Sequence, residues 1–287
     1  MLSSENFKYY ILLDAGDFEK LEAWGNIILR RPDPMAIWPK LKPELWDKAD
    51  GFYHRSNKGG GYWQFNRKLP KKWNVKYKDL TFKVAPTDFK HTGIFPEQAA
   101  NWDFISEKLK EKENASVLNL FAYSGVASIV SLNEKTKEVV HVDASKGMIE
   151  WAKENRDLSN LSDAKIRFIV EDCLKFMKRE VRRGRKYDGI IMDPPSYGRG
   201  PNNELFKFEE QINPLIEEAI NLLSDDPLFL IINTYTTGYS STTIKNTLER
   251  HLELNNIKGN IVADELGINI KDTNYYLPCG FTCRFFK

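Results

Sequence analysis

Three aspartates stand where short, β-prone apolar runs end: Asp143 after EVVHV, Asp172 after IRFIV, and Asp193 after YDGIIM. An ionised carboxylate only accepts hydrogen bonds, so such a row asks for a ligand rich in donors. Asp143 lies roughly twenty residues beyond the preceding strand–helix loop, the spacing at which an acid takes the two hydroxyls of a ribose. Asp172 is placed to accept from an exocyclic amine, as on adenine. Asp193 is followed by Pro194 and Pro195, which stop the chain, and by Ser196 and Tyr197, so a carboxylate and an aromatic ring would face something flat. Each position also has a plainer reading. Asp143 or Asp172 would merely cap the next helix, and the two prolines would merely turn the chain. The loop upstream, NLFAYSGVAS (119–128), is not the dinucleotide GxGxxG: Phe121 and Tyr123 sit where glycines would, and Gly125 alone remains. Little backbone is bared for a phosphate, which counts against a nicotinamide enzyme. In chain order the four features describe a nucleoside with no required phosphate.

These residues need a sheet to line them up. SVLNLF (116–121), EVVHV (138–142), IRFIV (166–170), YDGIIM (187–192) and LFLIINT (228–234) read as strands. Between them GVASIVSLN, SKGMIEWAKENRDL, DCLKFMKREV and FEEQINPLIEEAINLL read as helices, and STTIKNTLERHL follows the last strand. Strands and helices alternating at this spacing predict a parallel, doubly wound sheet, whose ligands bind outside the carboxyl ends of the strands. GFTCRFF (280–286) would close the sheet, antiparallel, and FPEQAANWDFISEKLK (95–110) would be a helix joining two modules. Upstream, the chain is dense in Trp, Tyr, Pro and Gly with short alternating runs: YYILLDAG (9–16), NIILRRP (26–32), GYWQFN (61–66) and LTFKVAP (80–86). That texture predicts a small, mostly antiparallel β module. SNKGGGYW would be a flexible tip. The expected division is a β-rich module over 1–90 and a ligand-binding domain over 91–287.

The 287 residues are 41% hydrophobic and 29% charged, enough apolar material for a buried core. No run approaches the ~18 consecutive apolar residues of a membrane span, and MLSSENFKYY has no apolar leader, so the expected place is the cytosol. Three cysteines make no disulfide framework, and the scattered histidines suggest no metal. A net charge of +2 does not by itself argue for nucleic acid. The distribution is more telling: RKLPKKWNVKYK (67–78) interleaves six basic residues with Trp73 and Tyr77, and KREVRRGRK (178–186) is almost wholly basic. Such segments either meet RNA phosphates and bases or form solvated faces. Trp24, Trp38, Trp46 and Trp63 are expected inside the β module; exposed, they would make a face for a homo-oligomer.

The motifs VLNLFAYSGVASI, HVDASKGMIEWAKEN, VEDCLKF and YDGIIMDPPSYGRG together resemble the class I S-adenosylmethionine-dependent methyltransferases related to the bacterial 23S rRNA methyltransferases RlmI and RlmK. LLDAGDFEKLEAWGNIILRRPDPMAIWP and FKHTGIFPEQAANWDF resemble a branch without the usual N-terminal PUA RNA-binding domain. The resemblance covers nearly the whole chain. It implies an α/β fold, a Rossmann-like seven-stranded class I methyltransferase domain with a smaller β-rich N-terminal domain, and S-adenosyl-L-methionine as cofactor. By motif, Asn119, Phe121, Tyr123, Ser124 and Gly125 would flank the methionine moiety. Asp143 and Ala144 would lie at the ribose, and Asp172 and Cys173 at the adenine. Asp193, Pro194, Pro195 and Tyr197 would face the methyl acceptor, with His91, Thr92, Phe95 and Gln98 lining the same pocket.

Methylation of a pyrimidine C5 requires a cysteine thiolate that adds to the ring. In the related cytosine enzymes that cysteine is expected just after the fifth strand, where this chain has Thr236, a poor nucleophile. Cys173, Cys279 and Cys283 are expected to be structural. A base nitrogen needs no covalent intermediate, only a lone pair aimed at the methyl group. The favoured reading is therefore methylation of a base nitrogen of ribosomal RNA, the base being extruded to reach the site. The alternatives are cytosine-C5 methylation, a small-molecule or protein methyltransferase of the same fold, and a non-catalytic RNA-binding relative.

Overall fold

Alternation of inward and outward residues drives the N-terminal strands. In the computed structural model, which describes residues 1–56, 60–88 and 90–287, the chain forms two units, Met1–Ala100 with Leu266–Cys279, and Asn101–Glu265 with Gly280–Lys287. The first unit thus runs past residue 90 and takes back a late segment, in which Ile270 bridges to Leu12 and Leu266 to Leu2. Its strands are β1 (Tyr10–Gly16), β2 (Glu19–Trp24), β3 (Ile27–Pro32), β4 (Gly51–Arg55) and β5 (Gly61–Phe65), adjacent in that order. All pairs are antiparallel except β3 with β4. β6 (Trp73–Tyr77) and β7 (Leu80–Val84) make a separate hairpin. The β1–β2 turn holds Asp17 and Phe18 at φ of 51° and 64°, the two left-handed positions that match the strand twist. Of the expected tip, residues 57–59 lie outside the described residues.

Aromatic density in this unit is largely core. Tyr10 meets Trp24 edge-on at 4.6 Å, and Phe7 contacts Trp24 and Tyr77 at 6.2 and 6.1 Å. Trp24 and Trp46 are buried, Trp38 and Trp63 half-buried. Tyr77 is 1% exposed, so it is no stacking surface: in 67–78 the alternation of β6 turns Val75 and Tyr77 inward and Asn74 and Lys76 outward. β2 was illegible as a strand because its inward residues include Glu22, 0% exposed. Arg31 clasps Glu22 through Nε and Nη2, and the Tyr10 hydroxyl donates to it at 2.9 Å. Burial pushes the Glu22 carboxyl up, but Arg31 and Lys20 outweigh it and hold it below the ordinary range. Asp14, likewise 0% exposed, accepts from Trp46 Nε1 at 2.7 Å and from the Lys42 amide at 2.9 Å, which anchors the turn of Pro43–Lys48.

In the second unit the helices and strands are α1 (Ala99–Leu109), β8 (Ser116–Leu120), α2 (Val126–Asn133), β9 (Glu138–Asp143), α3 (Lys146–Leu158), β10 (Ile166–Val170), α4 (Cys173–Arg182) and β11 (Gly189–Met192). The hairpin β12 (Tyr197–Arg199) and β13 (Leu205–Lys207) follows, then α5 (Phe208–Leu222), β14 (Phe229–Thr234), α6 (Ser241–Leu254), β15 (Asn260–Asn269) and β16 (Tyr276–Phe286), of which residues 266–269 and 276–279 belong to the first unit. The sheet order is β10-β9-β8-β11-β14-β16-β15. The first five strands of that order are mutually parallel, and β16 runs antiparallel to β14, as the terminal run suggested. One face packs Leu118, Val140, Ile190 and Leu230 against Phe176, Leu215 and Leu248 of α4, α5 and α6. α2 and α3 cover β8, β9 and β10. The joining helix begins at Ala99, after a short 3-10 turn over Pro96–Gln98. β15 is polar because it is the edge strand, and β12 and β13 are only three residues each, so none showed as an apolar run.

The basic run 178–186 is largely engaged within its own unit: Arg179 with Glu171 at 2.6 Å, Arg183 with Glu180 at 3.0 Å, and Arg185 with Glu138. Among the described residues no helix is long and apolar enough to cross a membrane. Removing one member of a buried pair leaves the other charge stranded, so Glu22→Ala is expected to destabilise the protein by about 3–5 kcal/mol, read from the urea midpoint. A loss below ~1 kcal/mol would mean that Arg31 is satisfied by the Lys90 carbonyl alone, which its Nη1 reaches at 2.6 Å.

Candidate active site

Register sets the expected side chains side by side. Leu120 pairs with Val142 and with Met192, and Asp143 with Val170. The loop after β8, Asp143 and Asp193 therefore leave three neighbouring strands at one level, and Asp172 follows β10 beside them. The Asp193 amide donates to the Leu120 carbonyl at 3.3 Å, and the Glu171 amide to the Asp143 carbonyl at 3.2 Å.

The loop 121–125 is held in an uncommon shape. Phe121 and Tyr123 have φ of 54° and 51°, left-handed values rarely taken by bulky residues, and Gly125 has φ of 84°. The two aromatics occupy the conformation that glycines would. Several hydrogen bonds enforce it: Phe121 N donates to Cys173 Sγ at 3.2 Å, Ala122 N to Val142 O at 3.1 Å, and Tyr123 N to Asp143 Oδ2 at 2.8 Å. Asn155 Nδ2 reaches the Ser124 carbonyl at 2.8 Å, and the Phe121 ring meets Phe206 of β13 edge-on at 5.2 Å. A Cβ at Gly125 would lie 2.8 Å from that of Ala152, so α3 packs there only against glycine.

Asp143 is half-buried, and its other oxygen accepts from Ser145 N at 2.8 Å. The cap of α3 is the Ser145 hydroxyl, not Asp143, whose carboxylate instead ties the β8 loop to the start of α3. Burial pushes the Asp143 carboxyl up, opposed by the Ser145 and Tyr123 amides. Asp172 does cap α4, through Oδ1 to Lys175 N at 2.9 Å. Ala144 is half-buried between Asp143 and the cap. Pro194 is buried and Pro195 exposed, while Tyr197 is 59% exposed. Thr236, just beyond β14, donates to Ser196 Oγ at 3.0 Å and so meets the loop that carries Pro195 and Tyr197.

Sequence reasoning missed that Thr236–Ser196 contact, Asn155 and Phe206, since each is brought in from a distant element. Asn119 is spent on α2: its amide donates to Ser128 Oγ at 2.9 Å, which lies 3.0 Å from His141 Nδ1, all three being buried. His91, Thr92, Phe95 and Gln98 belong to the first unit. There Thr92 and Gln98 are buried, and the His91 and Phe95 rings lie 5.3 Å apart.

Burial lowers the His141 pKa to about 3, and burial with the charges of Arg31, Lys90 and Lys20 lowers that of His91 to about 4. Both imidazoles are thus neutral when folded yet take up protons near pH 6.5 when unfolded, so the unfolded chain binds more protons in the window between. Stability is expected to fall as pH drops from about 6.5 toward 4. His141→Gln should flatten that slope in urea titrations at several pH values; an unchanged slope would assign it to other groups.

A profile of the S-adenosylmethionine-dependent methyltransferase family matches residues 53–238. The SAM-dependent methyltransferase of Agrobacterium tumefaciens, a crystal structure, is 33% identical with a TM-score of 0.94, covering 99% of this chain and 92% of that one. Trm5b of Pyrococcus abyssi shares the fold, with a TM-score of 0.55 at 14% identity over 91% of this chain and 72% of its own. The ribosomal RNA large subunit methyltransferase K/L of Pseudoalteromonas translucida is 37% identical over 116 residues, 40% of this chain. The matched part is only 16% of that relative's length. The chain belongs to the S-adenosylmethionine-dependent methyltransferase family, with a class I Rossmann-like catalytic domain.

Proposed function

We propose that this chain methylates a base nitrogen of ribosomal RNA in the cytoplasm, without a covalent cysteine intermediate. The observation that carries the acceptor class is the state of its thiols. Cys173 and Cys283 are buried and Cys279 half-buried. Burial pushes Cys173 and Cys279 well above the ordinary thiol range and Cys283 to about 12. The thiolate is the form that adds to a ring, so none is poised to do so at neutral pH. The hydroxyl of Thr236 stands near the acceptor loop instead. Relatives named as large-subunit ribosomal RNA methyltransferases support RNA as the substrate class.

The residues fit an adenosyl sulfonium. Asp143, fixed by two backbone donors, keeps further lone pairs for a ribose diol, and Asp172 Oδ2 is left for the adenine amine. Phe121 and Phe206 form an apolar wall, and the loop between β8 and α2 makes no phosphate cradle, which this ligand does not need. When bound, S-adenosylmethionine supplies an electrophilic methyl group on sulfur. The protein's part is position: the Asp193 carboxylate and the Pro194 carbonyl accept the N–H groups of the target base and orient its lone pair, and Tyr197 stacks on the ring. For an exocyclic amine, the Asp193 carboxylate takes the proton released as the N–C bond forms.

In Asp143→Asn one side-chain oxygen becomes a donor facing a backbone N–H. S-adenosylhomocysteine affinity should fall about ten- to a hundredfold, ~1.5–3 kcal/mol, in calorimetry. Asp193→Asn should keep that affinity and lose methyl transfer. Cys173→Ser/Cys279→Ala/Cys283→Ala, in which the serine hydroxyl keeps an acceptor for the Phe121 amide, should still place label from S-adenosylmethionine in ribosomal RNA, and nucleoside mass spectrometry should find the methyl on nitrogen. A denaturation-resistant protein–RNA adduct abolished by one cysteine substitution would overturn the reading.

A further inference from the structure

Between Asp50 and Asp79 the chain carries eight Lys and Arg residues and not one Asp or Glu. β4 and β5 come from this stretch, and β5 ends the five-strand order of its sheet. Register places Arg30 beside Phe52, Phe52 opposite Gln64 and His54 opposite Tyr62, all on one face. Their rings form a ladder. His54 and Tyr62 stack at 4.9 Å and 17°, Phe52 and His54 lie 4.0 Å apart, and the Arg30 guanidinium sits 4.2 Å from the Phe52 centroid. His54 Nε2 and Gln64 Oε1 are 2.8 Å apart, which fixes the imidazole in the ladder. Tyr62 is 63% exposed, whereas Tyr10, Trp24 and Tyr77 of the same unit are buried. An open aromatic face at a sheet edge invites aggregation unless something occupies it.

We infer that the β4–β5 face is a stacking platform for an unpaired stretch of RNA; the inference rests on the reading of this chain as an RNA methyltransferase. Bases have π-faces that such rings accept whatever the sequence, and phosphates need cations alongside. Arg30 and Arg67 are held by Glu19 and Asp50. Arg55, Lys68 and Lys71 are exposed and have no ion pair among the described residues, so they remain for the backbone. A protein partner would have to bring acids to these cations and planar groups to the rings; single-stranded RNA carries both at every nucleotide.

The test is fluorescence anisotropy of a labelled twelve-residue oligouridylate with the full chain and with His54→Ala/Tyr62→Ala. The double variant should bind about ten-fold or more weaker, Tyr62→Phe should bind as the parent, and Arg55→Glu should weaken binding with a shallower salt dependence. S-adenosylhomocysteine affinity and the thermal midpoint of the double variant should match the parent, which separates lost stacking from lost folding. Equal binding by parent and double variant overturns the platform, as does a parent dimer that dissociates in the double variant without a change in RNA affinity. Methyl transfer to RNA is scored separately. If it persists while oligouridylate binding ignores the ladder, the platform fails and the enzyme reading stands; if binding follows the ladder but no RNA is methylated, the enzyme reading fails alone.

Discussion

One carboxylate joins the two loops on which the methyltransferase domain depends. Asp143 sits half-buried at the end of β9, and its two oxygens take the amides of Tyr123 and Ser145 at 2.8 Å each. Desolvation disfavours its charge and outweighs the two amides that favour it, so the carboxyl stands above its ordinary range. That acceptor helps to offset the strain of the left-handed backbone at Tyr123. The Cys173 thiol accepts the Phe121 amide in the same way, which explains a buried cysteine at the start of α4 without invoking reactivity.

The same device recurs in the β-rich unit with a different consequence. Asp14 organises a loop by accepting an amide and an indole N–H, and Glu22 neutralises Arg31 inside the sheet. Buried carboxylates there lock the frame. Aromatic residues of one compositional kind then divide by position: rings on the inward phase of β1, β2 and β6 fill a core, and those on the open face of β4 and β5 stay partly in water. A strand's two-residue period makes that division, since neighbours in the chain point to opposite faces.

Much of the fold was legible along the chain, because apolar runs of a parallel sheet and the amphipathic helices between them are local patterns. The row of Asp143, Asp172 and Asp193 was readable for the same reason, as each simply follows a strand. β2, β12, β13 and β15 were not, since a strand with a buried Glu22, two three-residue strands and a polar edge strand lack the apolar signal. The capping alternatives also required coordinates: whether Asp143 or Ser145 takes the α3 amides depends on backbone angles that residue types do not specify.

By itself, the sequence determined the doubly wound order, the acids at its strand ends, the lack of a phosphate loop and the missing cysteine after the fifth strand. Tertiary structure alone decided which polar groups meet: Thr236 with Ser196, Asn119 with Ser128, and the return of Leu266–Cys279 to the first unit. These contacts join residues far apart in the chain, and their partners are chosen by register and packing, which no local pattern of residue types encodes.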